Sequence, residues 1–122
     1  MNILSIGNSF SQDAQRYLHK IAELNGISLK CVNLYIGGCS LKTHYHNILD
    51  DNRAYEFEFN GESTGLHVSV REALESDDWD VVTLQQASHY SFIYDTYTPY
   101  IEALAEYVRK YSPKSKIFIH ET

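Results

Sequence analysis

Asn2-Ile3-Leu4-Ser5-Ile6 is a short apolar run that breaks at Gly7-Asn8-Ser9. An apolar run of that length, ended by turn residues, predicts a buried strand running into a tight turn. The period then changes. Ala14, Tyr17, Leu18, Ile21 and Ala22 recur at three- and four-residue spacing and stop at Asn25-Gly26, which predicts a helix with that face turned inward. A strand passing through a tight turn into a helix is the repeating unit of an α/β sheet.

The rest of the chain repeats the unit. Residues 28–36 predict a second strand, ending at Gly37-Gly38, and residues 41–50 a short helix. Tyr55, Phe57 and Phe59 alternate up to Asn60-Gly61, a dipeptide that predicts a hairpin with residues 64–68 as its return strand. Val70, Ala73 and Leu74 mark a short helix ending at Asp77-Asp78, which reads as a solvated turn; Asp80-Val81-Val82-Thr83-Leu84 is another buried strand. Tyr97, Tyr100, Ile101, Leu104, Ala105, Val108 and Tyr111 keep helical spacing, with Pro99 in the first turn and Ser112-Pro113 as the stop. Residues 116–120 form a last strand. The order β-α-β-α-hairpin-α-β-α-β predicts one α/β domain over residues 1–122, a doubly wound, mostly parallel sheet with flanking helices, flavodoxin-like in shape. A parallel strand needs cover on both faces, yet two residues follow the last one. The expectation is a fold incomplete at its C-terminus, or covered by a partner, with self-association through that strand left open.

Composition narrows the function. The 122 residues are 43% hydrophobic and 21% charged, the range of a globular domain rather than a disordered chain. Ten Lys and Arg against sixteen Asp and Glu give a net charge of -6 with no basic stripe, which argues against a nucleic-acid partner. No apolar run is long enough to span a membrane. No Lys or Arg precedes the first apolar run, so it does not read as a signal peptide; the cytoplasm is the default, and a secreted or periplasmic setting fits if a signal has been removed. Two cysteines are too few for a disulfide framework.

In an open α/β sheet, chemistry sits beyond the carboxyl ends of the strands. Three loops gather there: Gly7-Asn8-Ser9-Phe10-Ser11, Gly37-Gly38-Cys39-Ser40 and Gln85-Gln86-Ala87-Ser88-His89. No Gly-x-Gly-x-x-Gly, no phosphate-binding loop and no Gly-x-Ser-x-Gly elbow is present.

The stretch Ile3-Leu4-Ser5-Ile6-Gly7-Asn8-Ser9-Phe10-Ser11 resembles the first block of the SGNH (GDSL-type) hydrolases, with Gly-Asn-Ser in place of Gly-Asp-Ser. The resemblance implies Ser9 as nucleophile and Gly38 as an oxyanion-hole donor through its backbone N–H. The family's third block, Gly-x-Asn-Asp, is replaced. An ungapped placement puts His89 at the Asn, and a side-chain amide of Gln86, or alternatively Gln85, could donate instead. Asn8, His89 and Tyr90 are the expected substrate-binding residues. Trp79-Asp80-Val81-Val82-Thr83-Leu84-Gln85-Gln86-Ala87-Ser88 also resembles a poorly characterised bacterial SGNH-like subgroup. The fourth block, Asp-x-x-His, is absent from these residues. The resemblance implies a serine esterase acting on small acyl esters, with O-acetyl carbohydrates as a candidate class, no cofactor and no metal. Its Asp and His would come from a missing segment. The alternative is a non-catalytic carbohydrate-binding or assembly module that has kept the fold and lost the base.

Chemistry demands as much independently of the name. A serine hydroxyl needs a base to attack, and the oxyanion needs preorganised donors, each worth about 3–4 kcal/mol. Plainer readings stand beside the sharp ones. Ser9-x-x-Gln12 also fits a helix capping box. His44-x-His46 with Cys39 has too few partners for zinc and reads as solvated histidines. His120, ending the last strand, reads first as a satisfied strand-end histidine and second as a substitute base. Tyr97 and Tyr100 read as half-buried helix positions, while Tyr90 and Tyr94 could line a pocket. Cys31 reads as inert; Cys39, on a site loop, is not the expected nucleophile.

Overall fold

The computed structural model describes residues 1–7, 9–37, 39–86, 97 and 99–120; for residues 9–14, 16 and 120 only the backbone is described. The elements run β1 (Asn2–Gly7), α1 (Ser9–Leu24), β2 (Lys30–Tyr35), α2 (Leu41–Leu49), β3 (Tyr55–Phe59), β4 (Glu62–Val68), α3 (Val70–Glu75), β5 (Val81–Gln85), α4 (Tyr100–Tyr111) and β6 (Lys116–His120). This is the predicted order, element by element. Pro99 sits one place earlier than expected, at the N-cap of α4.

The sheet order is β4-β3-β2-β1-β5-β6. Strands β2, β1, β5 and β6 are parallel, and the β3–β4 hairpin is added antiparallel on the outer side of β2. The sheet is therefore mixed. Its first connection goes from β1 to one neighbour, and a later one returns to the other side of β1. That makes the carboxyl end of β1 the switch point, where two loops part and leave a crevice.

Alternation along the strands sorts residues to two faces. Leu4 and Ile6, Val32 and Leu34, and Val82 and Leu84 form one fully buried face, packed with residues of α2, α3 and α4. Trp79 closes the far end of this core, its indole N–H donating to the Ala73 carbonyl at 2.9 Å. The opposite face carries a polar row, paired strand to strand: Glu58, Asn33, Ser5 and Thr83. Helix α1 lies on that face, and its Gln15 reaches Ser5.

Here one expectation is overturned. Of the expected inward stripe of α1, Ala22 is buried, but Tyr17 is 62% exposed and Ile21 58%, and Leu18 is exposed too, as is Leu24 beyond it. Among the described residues the buried stripe is Gln15, His19 and Ala22, with His19 partly covered and its Nδ1 3.2 Å from the Leu29 carbonyl oxygen. Periodicity fixes which residues share a helix face. It cannot fix which face meets a sheet surface that is itself polar.

Turn chemistry set both boundaries where it was read. Gly26 takes φ +68 after α1, Ile27 N–H donates to Ala22 C=O at 2.9 Å and Gly26 N–H to Glu23 C=O at 3.2 Å, a Schellman ending. Asn60 and Gly61 both take positive φ, 52 and 86, as a two-residue hairpin requires. Asn60 also joins the hairpin to β2, its N–H donating to the Cys31 carbonyl at 2.7 Å and its Oδ1 accepting from Cys31 N–H at 2.9 Å. Gly61→Ala is expected to lower folding stability by about 1–2 kcal/mol, because a Cβ is strained at that φ. Urea denaturation checks it; an unchanged midpoint would show that the turn relaxes at no cost.

Candidate active site at the carboxyl edge of the sheet

Three parallel strands deliver the three expected loops to one edge. Gly7 ends β1 opposite Tyr35, which ends β2, and Gln85 ends β5 one residue beyond the Ile6–Leu84 pair. Neighbouring strands lie about 4.8 Å apart, so the chain leaves the sheet at three points spread over about 10 Å. Ser9 is the first residue of α1. One residue separates it from the strand, so the helix starts at the switch point with its N-terminal N–H groups at the sheet edge. That positive helix end favours developing negative charge. Asn8, Gly38, His89, Tyr90 and Tyr94 lie outside the described residues, as do the side chains of Ser9 and Gln12 and hence the capping-box reading.

The two glutamines separate into different roles. Gln86 is buried, and its Oε1 accepts from the N–H of Leu41 at 2.8 Å. Leu41 is the first residue of α2, behind the N-cap Ser40, whose side chain accepts from Thr43 N–H. Gln86 therefore ties the loop after β5 to the loop after β2. Gln85 alternates with the core residue Leu84 and so lies on the α1 face, in the row of Gly7. It is 1% exposed, and among the described residues neither its Oε1 nor its Nε2 has a hydrogen-bond partner. A buried amide left open on both atoms is costly, and such groups concentrate where function needs them. Among the described residues Gln85 is thus the amide at this edge with no partner on either atom. His120 stands opposite Gln85 in the β5–β6 register, two strands from β1.

Behind the second loop lies a cluster that the sequence reading missed. His44 was expected to be solvated; it is fully buried. It faces inward because α2 has Leu41, His44 and Ile48 on one side. Its ring stacks on Tyr55, centroids 5.5 Å apart, and its Nδ1 lies 2.7 Å from the Tyr55 hydroxyl and 3.5 Å from the Cys39 sulfur. Burial holds the His44 imidazole neutral by pushing its pKa down to about 3. The same cause pushes the Cys39 thiol up to about 12, so it stays protonated and unsuited to attack. Cys31 is also buried and shifted upward. A neutral, stacked His44 beside a protonated thiol is a packed polar cluster, and among the described residues no group of three or more His, Cys, Asp or Glu is placed to hold a metal ion. No described helix is long and apolar enough to cross a membrane.

Tyr97 and Tyr100 pack half-buried at the edge of the core as expected, but Tyr97 stands in a turn before α4 rather than in the helix. A groove lined by Asp77, Trp79, Tyr111 and Lys114 opens at the amino edge of the sheet, away from the strand ends that carry the loops. Its acidic turn has structural work: Asp77 pairs with Lys30, and Asp80 accepts from the Asn2 N–H at 2.7 Å.

In a three-layer α/β fold with a helix N-terminus at the switch point, ligands bind in the crevice beyond the strand ends. The chain belongs to the DUF4886 family, a domain of unknown function, whose model matches residues 2–122. Its structure is similar to the crystal structure of a DUF4886 family protein from Bacteroides uniformis, with 38% sequence identity and a TM-score of 0.92, covering 100% of this chain and 49% of that one. It is also similar in fold to a candidate SGNH hydrolase from Slackia heliotrinireducens, at 23% identity and a TM-score of 0.58, covering 98% of this chain and 54% of that one. The chain spans about half the length of both solved relatives. The comparison with curated proteins finds no match.

Proposed function

We propose that this domain is the nucleophile-bearing part of a serine ester hydrolase of the SGNH type. The observation that carries the reading is the position of Ser9: first residue of α1, one residue past β1, at the switch point of the sheet. Ser9 attacks the ester carbonyl. The N–H groups at the start of α1 and in the Gly38 loop, with the Gln85 amide, receive the negative charge that builds on the carbonyl oxygen. Gln86, whose Oε1 accepts from the Leu41 N–H, ties the loop after β2 to the loop after β5, and its Nε2 is the second candidate donor to the oxyanion. The base that takes the Ser9 proton is a histidine supplied outside these residues, which contain no Asp-x-x-His. The substrate class is a small acyl ester, with O-acetyl carbohydrate as the candidate. Asn8, His89 and Tyr90 are the proposed substrate-binding residues.

The replaced third block favours a second reading, a module that binds such a ligand without turning it over. A fluorophosphonate probe separates the two, because it reacts with a serine activated by a neighbouring base. Intact mass and peptide mapping are expected to place one adduct on Ser9 in the full-length protein. Absence of an adduct there, together with saturable carbohydrate binding, would establish the binding module instead.

A further inference from the structure

We propose that Gln15 is a positioning residue that fixes the start of α1, and with it Ser9, against the sheet edge. The inference rests on the hydrolase reading of Ser9. Among the described side chains of α1 the apolar packing is slight: Tyr17, Leu18, Ile21 and Leu24 are exposed, and Ala22 is the buried apolar residue. Hydrophobic contact is also non-directional and leaves a helix free to slide or turn on a sheet. Hydrogen bonds are directional. Gln15 is buried, and its Nε2 donates both protons, to the Ser5 hydroxyl at 2.8 Å and to the Val32 carbonyl at 2.9 Å. The Ser5 hydroxyl in turn accepts from the Thr83 hydroxyl at 2.8 Å.

One amide thus binds α1 to β1 and β2 directly and to β5 through Ser5. Those are the three strands whose carboxyl ends lead to Ser9, to the Gly38 loop and to Gln85 itself. Gln15 lies six residues beyond Ser9 in the same helix, about 9 Å along its axis, so a shift at Gln15 reaches Ser9 through a rigid element. The arrangement costs stability. Among the described residues the buried Gln15 Oε1 has no partner, a desolvation cost that the two donated bonds must offset. A polar clamp kept at that cost fits a demand for placement.

The test is Gln15→Met in the full-length protein, with fluorophosphonate labelling of Ser9 followed in time. The final labelled fraction is expected to match wild type, because the variant is folded. The rate constant should fall about tenfold or more, with the probe concentration for half-maximal rate unchanged, since a misplacement of about 1 Å can cost a hundredfold. Ser5→Ala should slow labelling in the same direction and add little on top of Gln15→Met, because both remove the same bond. A merely structural role would lower the labelled fraction and leave the rate per folded molecule unchanged, and that result overturns the proposal. Amide hydrogen exchange gives a readout independent of activity. The second turn of α1, whose N–H groups make the first intrahelical bonds, should exchange about tenfold faster in Gln15→Met while β1 and β5 keep their protection, and equal exchange in both proteins also overturns it. A wild-type protein in which Ser9 takes no probe overturns the hydrolase reading and this inference with it.

Discussion

Between pH 7.5 and pH 4.5 the protein is expected to lose about 2–3 kcal/mol of folding stability through His44 alone. The imidazole is neutral and buried in the folded chain, with its pKa pushed down to about 3, against about 6.5 in an unfolded chain. Across the interval between those values the unfolded state binds a proton that the folded state refuses. Stability therefore rises with pH in that window: it is fully present above the unfolded value and is lost as the pH falls toward the folded one. The surroundings give the charged form nothing to gain. Nδ1 faces the Tyr55 hydroxyl and the Cys39 sulfur, and among the described residues Nε2 is buried without a partner. His44→Gln keeps an amide near Tyr55 but cannot titrate. It should cost about 1–2 kcal/mol at pH 7.5 and then show a shallower decline with acid than wild type. Urea denaturation at several pH values, taken as the difference between the two proteins, isolates His44 from the acidic groups. Parallel curves would mean that His44 is reached by water or finds an anionic partner on protonation.

Ser9→Ala in the full-length protein is expected to reduce hydrolysis of an activated acetyl ester by a factor on the order of 10⁴–10⁶, the scale seen when a serine nucleophile is removed from a working triad. Folding stability should change far less. If Ser9 also caps α1, its loss costs about 1 kcal/mol. The two readings of this serine thus predict opposite patterns. A nucleophile loses turnover at nearly constant stability, and a cap loses stability at constant turnover. Measuring the ester rate and the denaturation midpoint on the same preparation distinguishes them. Turnover that survives the substitution removes Ser9 from the chemistry.

The order of elements was legible because each boundary is a local event. Gly26 can adopt the φ that ends α1, Asn60-Gly61 can make the two-residue turn, and Leu4, Val32 and Val82 sit in short apolar runs that only buried strands accommodate. The placement of Ser9 was legible for the same reason, since one residue between a strand and a helix leaves no freedom in where the serine falls. The apolar face of α1 was misjudged because the sheet surface it meets carries Ser5, Asn33 and Thr83, which are distant in sequence and come into one row only when β1, β2 and β5 pair. His44 was misjudged in the same way: its partners Cys39 and Tyr55 lie on other elements, and its burial depends on α2 packing over the sheet. Gln85 and Gln86 are adjacent and chemically identical, yet strand alternation sends one to the α1 face with its amide open and the other to the start of α2. Sequence by itself determined the elements, their order and the loop that holds the serine, because propensity, period and turn chemistry act within a few residues. Tertiary structure decided which faces meet and, among the described residues, which polar groups find partners, because those outcomes depend on the register between strands far apart in the chain.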